Sequence, residues 1–322
     1  MKLPARRAAA DLAVDVAGLH FQNPLLLAAG TAAYGRELRE VMDLDRLGGI
    51  VTKAVSPAPR AGAPSPRVAE FAGGMINAIG LANPGVDAVC RDELPWLASA
   101  LPRTRVLVNV VGSAVEDYAT VVSGIETAFP PGAAGVDAYE LNVSCPNVRA
   151  GGAEFGADPV ALRGVVEGAR ARTARSLFVK LSPVLPDIAA SARVAIEAGA
   201  TGITVVNTVP GLVIDVEHRR PALGFGTGGV SGAGLLPVGV LATWKLRRAL
   251  GPGVPLVGVG GVTRGTDVVQ YLLAGASLVA VGTAALRDPR APERLLGELG
   301  RWCADHGVSR LADLVGTLEW PA

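Results

Sequence analysis

The segment "ELNVSCPN" at residues 140–147 places one thiol, Cys145, between two carboxamides, Asn142 and Asn147, and directly before a proline. Most free cysteines are small buried hydrophobes. One held where an apolar run gives way to a proline-fixed turn can instead present a thiolate to a ligand. An ordinary cysteine titrates near 8.5, so a minority is ionised at neutral pH, and a nearby ammonium or backbone dipole raises that fraction. Two lysines, Lys53 and Lys180, close other apolar runs, as do Asn109, Asn207 and Thr208. Two ammonium groups facing one space need compensating charge, which points to an anionic ligand. The three histidines, His20, His218 and His306, end no apolar run. A histidine base or metal cluster is therefore not indicated, and no metal is expected.

Late in the chain, "GVGGVTRGTD" (258–267) and "AVGTAALRD" (280–288) carry glycines just after apolar runs. Such glycines let backbone N–H groups approach a phosphate, and a following helix offers its positive end. The ligand could be a phosphorylated substrate or the phosphate of a flavin.

These residues need a scaffold that brings run ends together. Eight short apolar runs recur: 24–29, 49–53, 105–110, 137–142, 177–181, 202–207, 254–260 and 277–282. Helical spacing follows several of them, as at 186–199, where Ile188, Ala192, Ala195 and Ile196 share a face, and at 265–275. Alternating strands and helices imply parallel pairing, and eight units in this length predict an α/β fold, a (β/α)8 TIM barrel. An open doubly wound sheet is the runner-up, but its glycine turn belongs after the first strand. In a barrel the active-site groups cluster at the C-terminal strand ends, and a phosphate commonly sits after strands seven and eight. The polar residues fall on that pattern. Two connections, 54–85 and 208–235, are long and rich in Gly and Pro. Both are expected to lie over the C-terminal face as a lid and part of a substrate pocket. Residues 11–22 are expected to form a hairpin over the opposite end, and residues 1–322 a single domain.

The chain has 322 residues, 50% hydrophobic and 18% charged, with 30 Lys plus Arg against 29 Asp plus Glu. A balanced charge without a basic block calls for neither nucleic acid nor an anionic membrane. Cys90, Cys145 and Cys303 are too few and too scattered for a disulfide framework or an iron–sulfur site. No signal peptide or apolar spanning run is read, so a cytoplasmic location is expected.

In order and context, "GGIVTKAVSPAPRAGAPSPR", "GMINAIGLANPG", "ELNVSCPN", "FVKLSP", "VVNT", "TGGVSG", "VGVGG" and "AVGTA" resemble class 1 dihydroorotate dehydrogenases from about residue 13 to about 290. "MINAIGLANPG" and the Asn207-Thr208 pair look most like the class 1B catalytic subunit. Class 2 relatives carry a membrane-associating N-terminal extension and a serine where Cys145 stands. The resemblance implies an FMN flavoprotein that oxidises (S)-dihydroorotate to orotate in de novo pyrimidine biosynthesis. Cys145 would take the C5 proton while a hydride leaves C6 for the flavin. Lys53, Asn77, Gly80, Leu81, Asn142, Asn147, Asn207 and Thr208 match positions that hold the pyrimidine and its carboxylate. Ala29, Gly30, Lys53, Asn109, Asn142 and Lys180 match flavin contacts, and Gly229, Gly260, Gly261, Gly282 and Thr283 match the segments holding ribityl and phosphate. Class 1B implies a second subunit with FAD and a [2Fe–2S] cluster passing electrons to NAD, in a heterotetramer of two chains of each kind. Class 1A relatives are homodimers that reduce fumarate.

The chain departs from the family at Ala29, where serine is usual, and at Leu236, where lysine is common. Alternatives are a specialised paralogue acting on another cyclic amide and a dihydropyrimidine dehydrogenase-like subunit. The latter's substrate has no carboxylate to meet Lys53. A flavin-free aldolase or isomerase with Lys180 as a Schiff-base lysine and a non-catalytic partner-binding barrel are the readings from other classes.

Overall fold

A computed structural model describes residues 10–144 and 154–321. Eight parallel strands close into a barrel: β3 (Leu25–Leu27), β4 (Gly49–Val51), β7 (Arg105–Val110), β8 (Ala138–Asn142), β9 (Ser176–Leu181), β10 (Gly202–Val205), β15 (Leu256–Val259) and β16 (Leu278–Val281). Each lies in one of the eight apolar runs or overlaps it, which bears out the expected fold class. The remaining strands are β1 (Val14–Val16), β2 (Leu19–Phe21), β5 (Val68–Phe71), β6 (Gly74–Asn77), β11 (Val209–Gly211), β12 (Ile214–Asp215), β13 (Arg220–Pro221) and β14 (Gly228–Ser231). The helices are α1 (Val86–Ala88), α2 (Leu94–Ala100), α3 (Val115–Ala128), α4 (Pro159–Arg170), α5 (Ile188–Glu197), α6 (Leu236–Leu250), α7 (Gly265–Leu273), α8 (Thr283–Arg287) and α9 (Ala291–His306).

Local chemistry explains where the helices begin. Asp158 caps α4 by accepting from Val160 N–H, with Pro159 in the first turn, and Asp187 caps α5 through Ala189 and Ala190 N–H. The alternation of strand and helix fails once. Between β3 and β4 the chain makes only two short 3-10 turns, Leu38–Glu40 and Leu44–Arg46.

Strand alternation sorts the core into two layers. Tyr139, Leu141, Val179 and Leu181 point outward into the main apolar cluster beneath the helices. Leu26, Leu107, Ala138, Phe178, Val257 and Leu278 fill the barrel interior together with Val14, Val16 and Phe21. The expected N-terminal hairpin forms, with Val14 opposite Phe21, and its apolar residues complete this interior cluster.

The two long connections become one structure. β11, β14, β6 and β5 form an antiparallel sheet in which Gly229 of the later connection is paired with Asn77 of the earlier one. Both connections therefore leave the barrel's C-terminal end and support each other there.

Candidate active site

Period-2 alternation along three neighbouring strands decides which groups enter the barrel. Leu107, Ala138 and Phe178 lie in the apolar interior. Two residues further on, Asn109, Glu140 and Lys180 share that face, and Asn142 follows Glu140. Asn109 is 1% exposed, Glu140 2% and Lys180 7%. Asn109 is in register with Glu140, and Asn142 with Lys180. Asn109 Nδ2 donates to Glu140 Oε1 at 2.7 Å, and Lys180 Nζ stands 3.9 Å from the same oxygen. Asn109 Oδ1, and Thr204 Oγ1 on the strand position in register with Lys180, are buried without a partner among the described residues.

Glu140 changes the argument from two lysines. Part of the compensating charge comes from the protein itself, so Lys180 alone does not call for an anion. Lys53 is half-buried, two residues beyond β4, and its backbone N–H donates to Ala33 carbonyl at 2.9 Å.

The asparagines form a directed chain. Asn142 Oδ1 accepts from Ser144 N–H at 3.3 Å and from Asn207 Nδ2 at 3.2 Å, while Asn207 Oδ1 accepts from Thr208 N–H at 2.9 Å. A backbone N–H can only donate, so these contacts fix both amides. Asn142 is left with its NH2 as the group to offer a ligand. Tyr118 anchors the same stretch by donating its hydroxyl to the Asn142 carbonyl at 2.8 Å. Asn77 Nδ2 donates to Gly229 carbonyl at 3.3 Å. Gly80 and Leu81 both have positive φ, +66° and +56°. A side chain at Gly80 would collide with the Ala63 backbone, so this turn requires glycine. Cys145 and Asn147 lie outside the described residues.

The glycine-bearing rim is half-built from β15 and β16. Gly260 and Gly261 have φ +123° and +76°, and a Cβ at Gly261 would run into Leu236 N at the start of α6. A Cβ at Gly229 would strike the Thr208 hydroxyl. Gly282 is open: the nearest atoms to a Cβ there are Ala28 Cβ and Thr31 Cγ2, each at 3.8 Å. Ala29 and Gly30 follow Ala28 at the end of β3, the strand paired with β16. Thr283 Oγ1 donates to Ser231 Oγ at 2.8 Å. The start of α7, expected to offer N–H groups to a phosphate, is already engaged. Asp267 accepts from Thr263 and Arg264 N–H at 2.8 and 2.9 Å, and Glu298 from Gly265 N–H at 2.7 Å. Of Gly229, Gly261 and Gly282, only Gly282 has open space where a Cβ would stand. Leu236, in the position where lysine is common, packs against the main core.

Among the described residues no group of His, Cys, Asp and Glu is arranged to hold a metal, and no helix is long and apolar enough to cross a membrane. Sequence reasoning missed Glu140, Thr204, Tyr118 and Ser231. Glu140 was legible in principle, being two residues before Asn142 on a strand and so on the same face.

A closed parallel barrel with polar residues at its strand ends, an open position at Gly282 and an unpaired buried acceptor has the build of a cofactor-binding (β/α)8 enzyme. The family model described as dihydroorotate dehydrogenase matches residues 11–302, and the chain belongs to that family, whose members are oxidoreductases. It is 43% identical to "Dihydroorotate dehydrogenase B (NAD(+)), catalytic subunit" of Pelobacter propionicus over 309 residues, 96% of this chain and 99% of that protein. A protein of the same name from Geobacter sp. (strain M21) is 41% identical over 96% of this chain and 98% of its own length. "Putative dihydroorotate dehydrogenase A (fumarate)" of Solibacter usitatus is 45% identical over 96% of this chain and 99% of its length. The family's cofactor is FMN. The open cradle at Gly282 and the orphaned Asn109 Oδ1 fit such a group.

Proposed function

We propose that this chain oxidises dihydroorotate to orotate as the FMN-bearing catalytic subunit of a class 1B dihydroorotate dehydrogenase in pyrimidine biosynthesis. FMN supplies the hydride acceptor when bound. The chain's own residues do the rest. Lys53 meets the substrate carboxylate, and the fixed NH2 of Asn142 meets an acceptor oxygen or nitrogen. Asn77, Asn147, Asn207 and Thr208 hold the remaining polar edge of the pyrimidine, with Gly80 and Leu81 shaping the turn above it. Cys145 removes the C5 proton, which the adjacent carbonyl acidifies. Asn109, Lys180, Ala29 and Gly30 hold the flavin ring, and Gly229, Gly260, Gly261, Gly282 and Thr283 its ribityl and phosphate.

The observation that carries this reading is the hydrogen-bonded chain Ser144–Asn142–Asn207–Thr208, which converges on the mouth where Asn142 is in register with Lys180. A site built to pair with substrate N–H and C=O groups rejects analogues lacking them. The names of the Pelobacter and Geobacter relatives, each a catalytic subunit of an NAD(+) enzyme, support a partner subunit and NAD as the acceptor; FAD and a [2Fe–2S] cluster in that partner are what the class 1B resemblance implies. The Solibacter relative's name favours a second reading, an enzyme reducing fumarate, for which the class 1A resemblance implies a homodimer. Scattered cysteines support a cytoplasmic setting.

The test is Cys145→Ala loaded with FMN. Orotate binding should persist while flavin reduction by dihydroorotate slows about 10²–10⁴-fold, the range for losing a positioned base. Unchanged turnover contradicts the assignment. Brisk fumarate reduction by the isolated chain contradicts the class 1B reading in favour of the second one.

A further inference from the structure

Glu140 is the one carboxylate buried in the barrel among the described polar strand-end groups, and the mechanism above gives it no task. Burying a carboxylate is costly unless it is paired and hydrogen-bonded. Glu140 has two partners, and each contact has a consequence. Its Oε1 accepts from Asn109 Nδ2 at 2.7 Å. A carboxylate only accepts, so it turns the Asn109 amide one way round and directs Oδ1, the buried atom without a partner, away from Glu140, where with the second Nδ2 hydrogen it is what Asn109 has left to offer. The same Oε1 lies 3.9 Å from Lys180 Nζ. That distance suits an ion pair but is too long for a hydrogen bond. Glu140 therefore compensates the Lys180 charge without using up its N–H donors.

We propose that Glu140 is a positioning residue that sets both the charge and the hydrogen-bond polarity of the flavin-facing wall through Lys180 and Asn109. With it the wall offers an acceptor at Asn109 and donors on a charge-compensated ammonium. Without it the amide is free to turn and the ammonium is uncompensated. The inference rests on FMN occupying this mouth.

Reduced flavin is an anion at neutral pH and the oxidised ring is neutral, so removing a nearby negative charge favours the reduced form. At an effective dielectric of about 20, a unit charge about 12 Å away shifts such an equilibrium roughly tenfold. For a two-electron couple tenfold is about 30 mV.

The experiment is an anaerobic reductive titration of FMN-loaded wild type and Glu140→Gln against a reference dye, with FMN affinity measured alongside. The expected result is a reduced-to-oxidised ratio at least about tenfold higher in Glu140→Gln at the same ambient potential. FMN affinity should stay within a few-fold, because the glutamine carbonyl still accepts from Asn109. Glu140→Leu, which removes charge and acceptor, should in addition weaken FMN binding about tenfold. A role confined to stability would leave the potential unmoved, and a loaded Glu140→Gln variant at the wild-type potential overturns the inference. If Glu140→Gln does not fold, the comparison is Lys180→Met against the double variant, since replacing both members of a buried pair is tolerated better than breaking it. The double variant should then have the higher potential, and equal potentials overturn the inference. A wild-type chain that takes up no FMN defeats the underlying functional reading instead.

Discussion

Gly261→Ala separates a glycine required by the fold from glycines that are merely tolerated. Gly261 has φ +76°, and an added Cβ would collide with Leu236 N, a backbone atom at the start of α6. A left-handed conformation costs an L-residue about 1–2 kcal/mol. Displacing packed backbone adds about 1–3 kcal/mol by analogy with overpacked cores. The sum is about 2–5 kcal/mol. Gly234, 27 residues earlier, has negative or extended φ and nothing within 4 Å of its Cβ position. Gly234→Ala therefore serves as the control and should change stability by less than about 1 kcal/mol. Urea unfolding of the chain without FMN measures the difference directly. With a slope of about 3 kcal/mol per molar urea, the Gly261→Ala midpoint should fall by about 1 M. Added FMN should rescue little, because the collision also deforms the rim beside Gly282. Equal midpoints for Gly261→Ala and wild type would refute the argument that this turn admits only glycine.

Asn207→Ala removes the side chain that holds Asn142 Oδ1 and caps Thr208 N–H, so orotate affinity should fall at least about tenfold in a spectral titration, with FMN retained. Unaltered affinity would show that Asn142 is oriented without it. Burial pulls the Glu126 carboxyl upward, but hydrogen bonds from Thr173, Arg175 and Tyr139 outweigh it and leave it below its ordinary value of 4.5. Its stabilisation is thus present above about pH 4.5 and lost as pH falls through the lowered value. Glu126→Gln should cost about 2–4 kcal/mol at pH 7 and progressively less in acid, read by melting at several pH values; a pH-independent loss would contradict this. Burial and the Asp87 charge push the Cys90 thiol up to about 11, and burial also raises Cys303. At pH 8 about one Cys90 in a thousand is thiolate. Alkylation with iodoacetamide followed by peptide mass analysis should mark Cys145 first, and prior labelling of Cys90 would count against Cys145 as the activated thiol.

The barrel was legible because each strand is a buried apolar run, and "RVLVNV" coincides with β7, Arg105–Val110. "GITVVN" overran β10, which ends at Val205, although Val206 and Asn207 N–H still donate to Val259 and Leu181 carbonyls of the flanking strands. The sheet formed by β5, β6, β11 and β14 was not legible. Its strands are three or four residues long in Gly- and Pro-rich sequence, and their pairing joins segments about 150 residues apart, such as Asn77 with Gly229. Lys180 and Asn142 were found as strand-end polar groups. Glu140 was hidden in a motif that drew notice for its cysteine, and its importance appears only when β7, β8 and β9 are set in register. The helix end at α7 was read as an anion site because nothing in "GVGGVTRGTD" reveals that Asp267 turns back on it or that Glu298 of α9 reaches it.

A bound flavin that takes electrons from dihydroorotate is the property on which the proposed function stands. The most direct measurement is the visible spectrum of the purified, FMN-loaded chain under anaerobic conditions, before and after L-dihydroorotate is added. The expected result is an oxidised flavin spectrum that bleaches with L-dihydroorotate and not with dihydrouracil, which lacks the carboxylate proposed to meet Lys53. A flavin that stays oxidised with dihydroorotate, or a chain that binds no FMN, would contradict it.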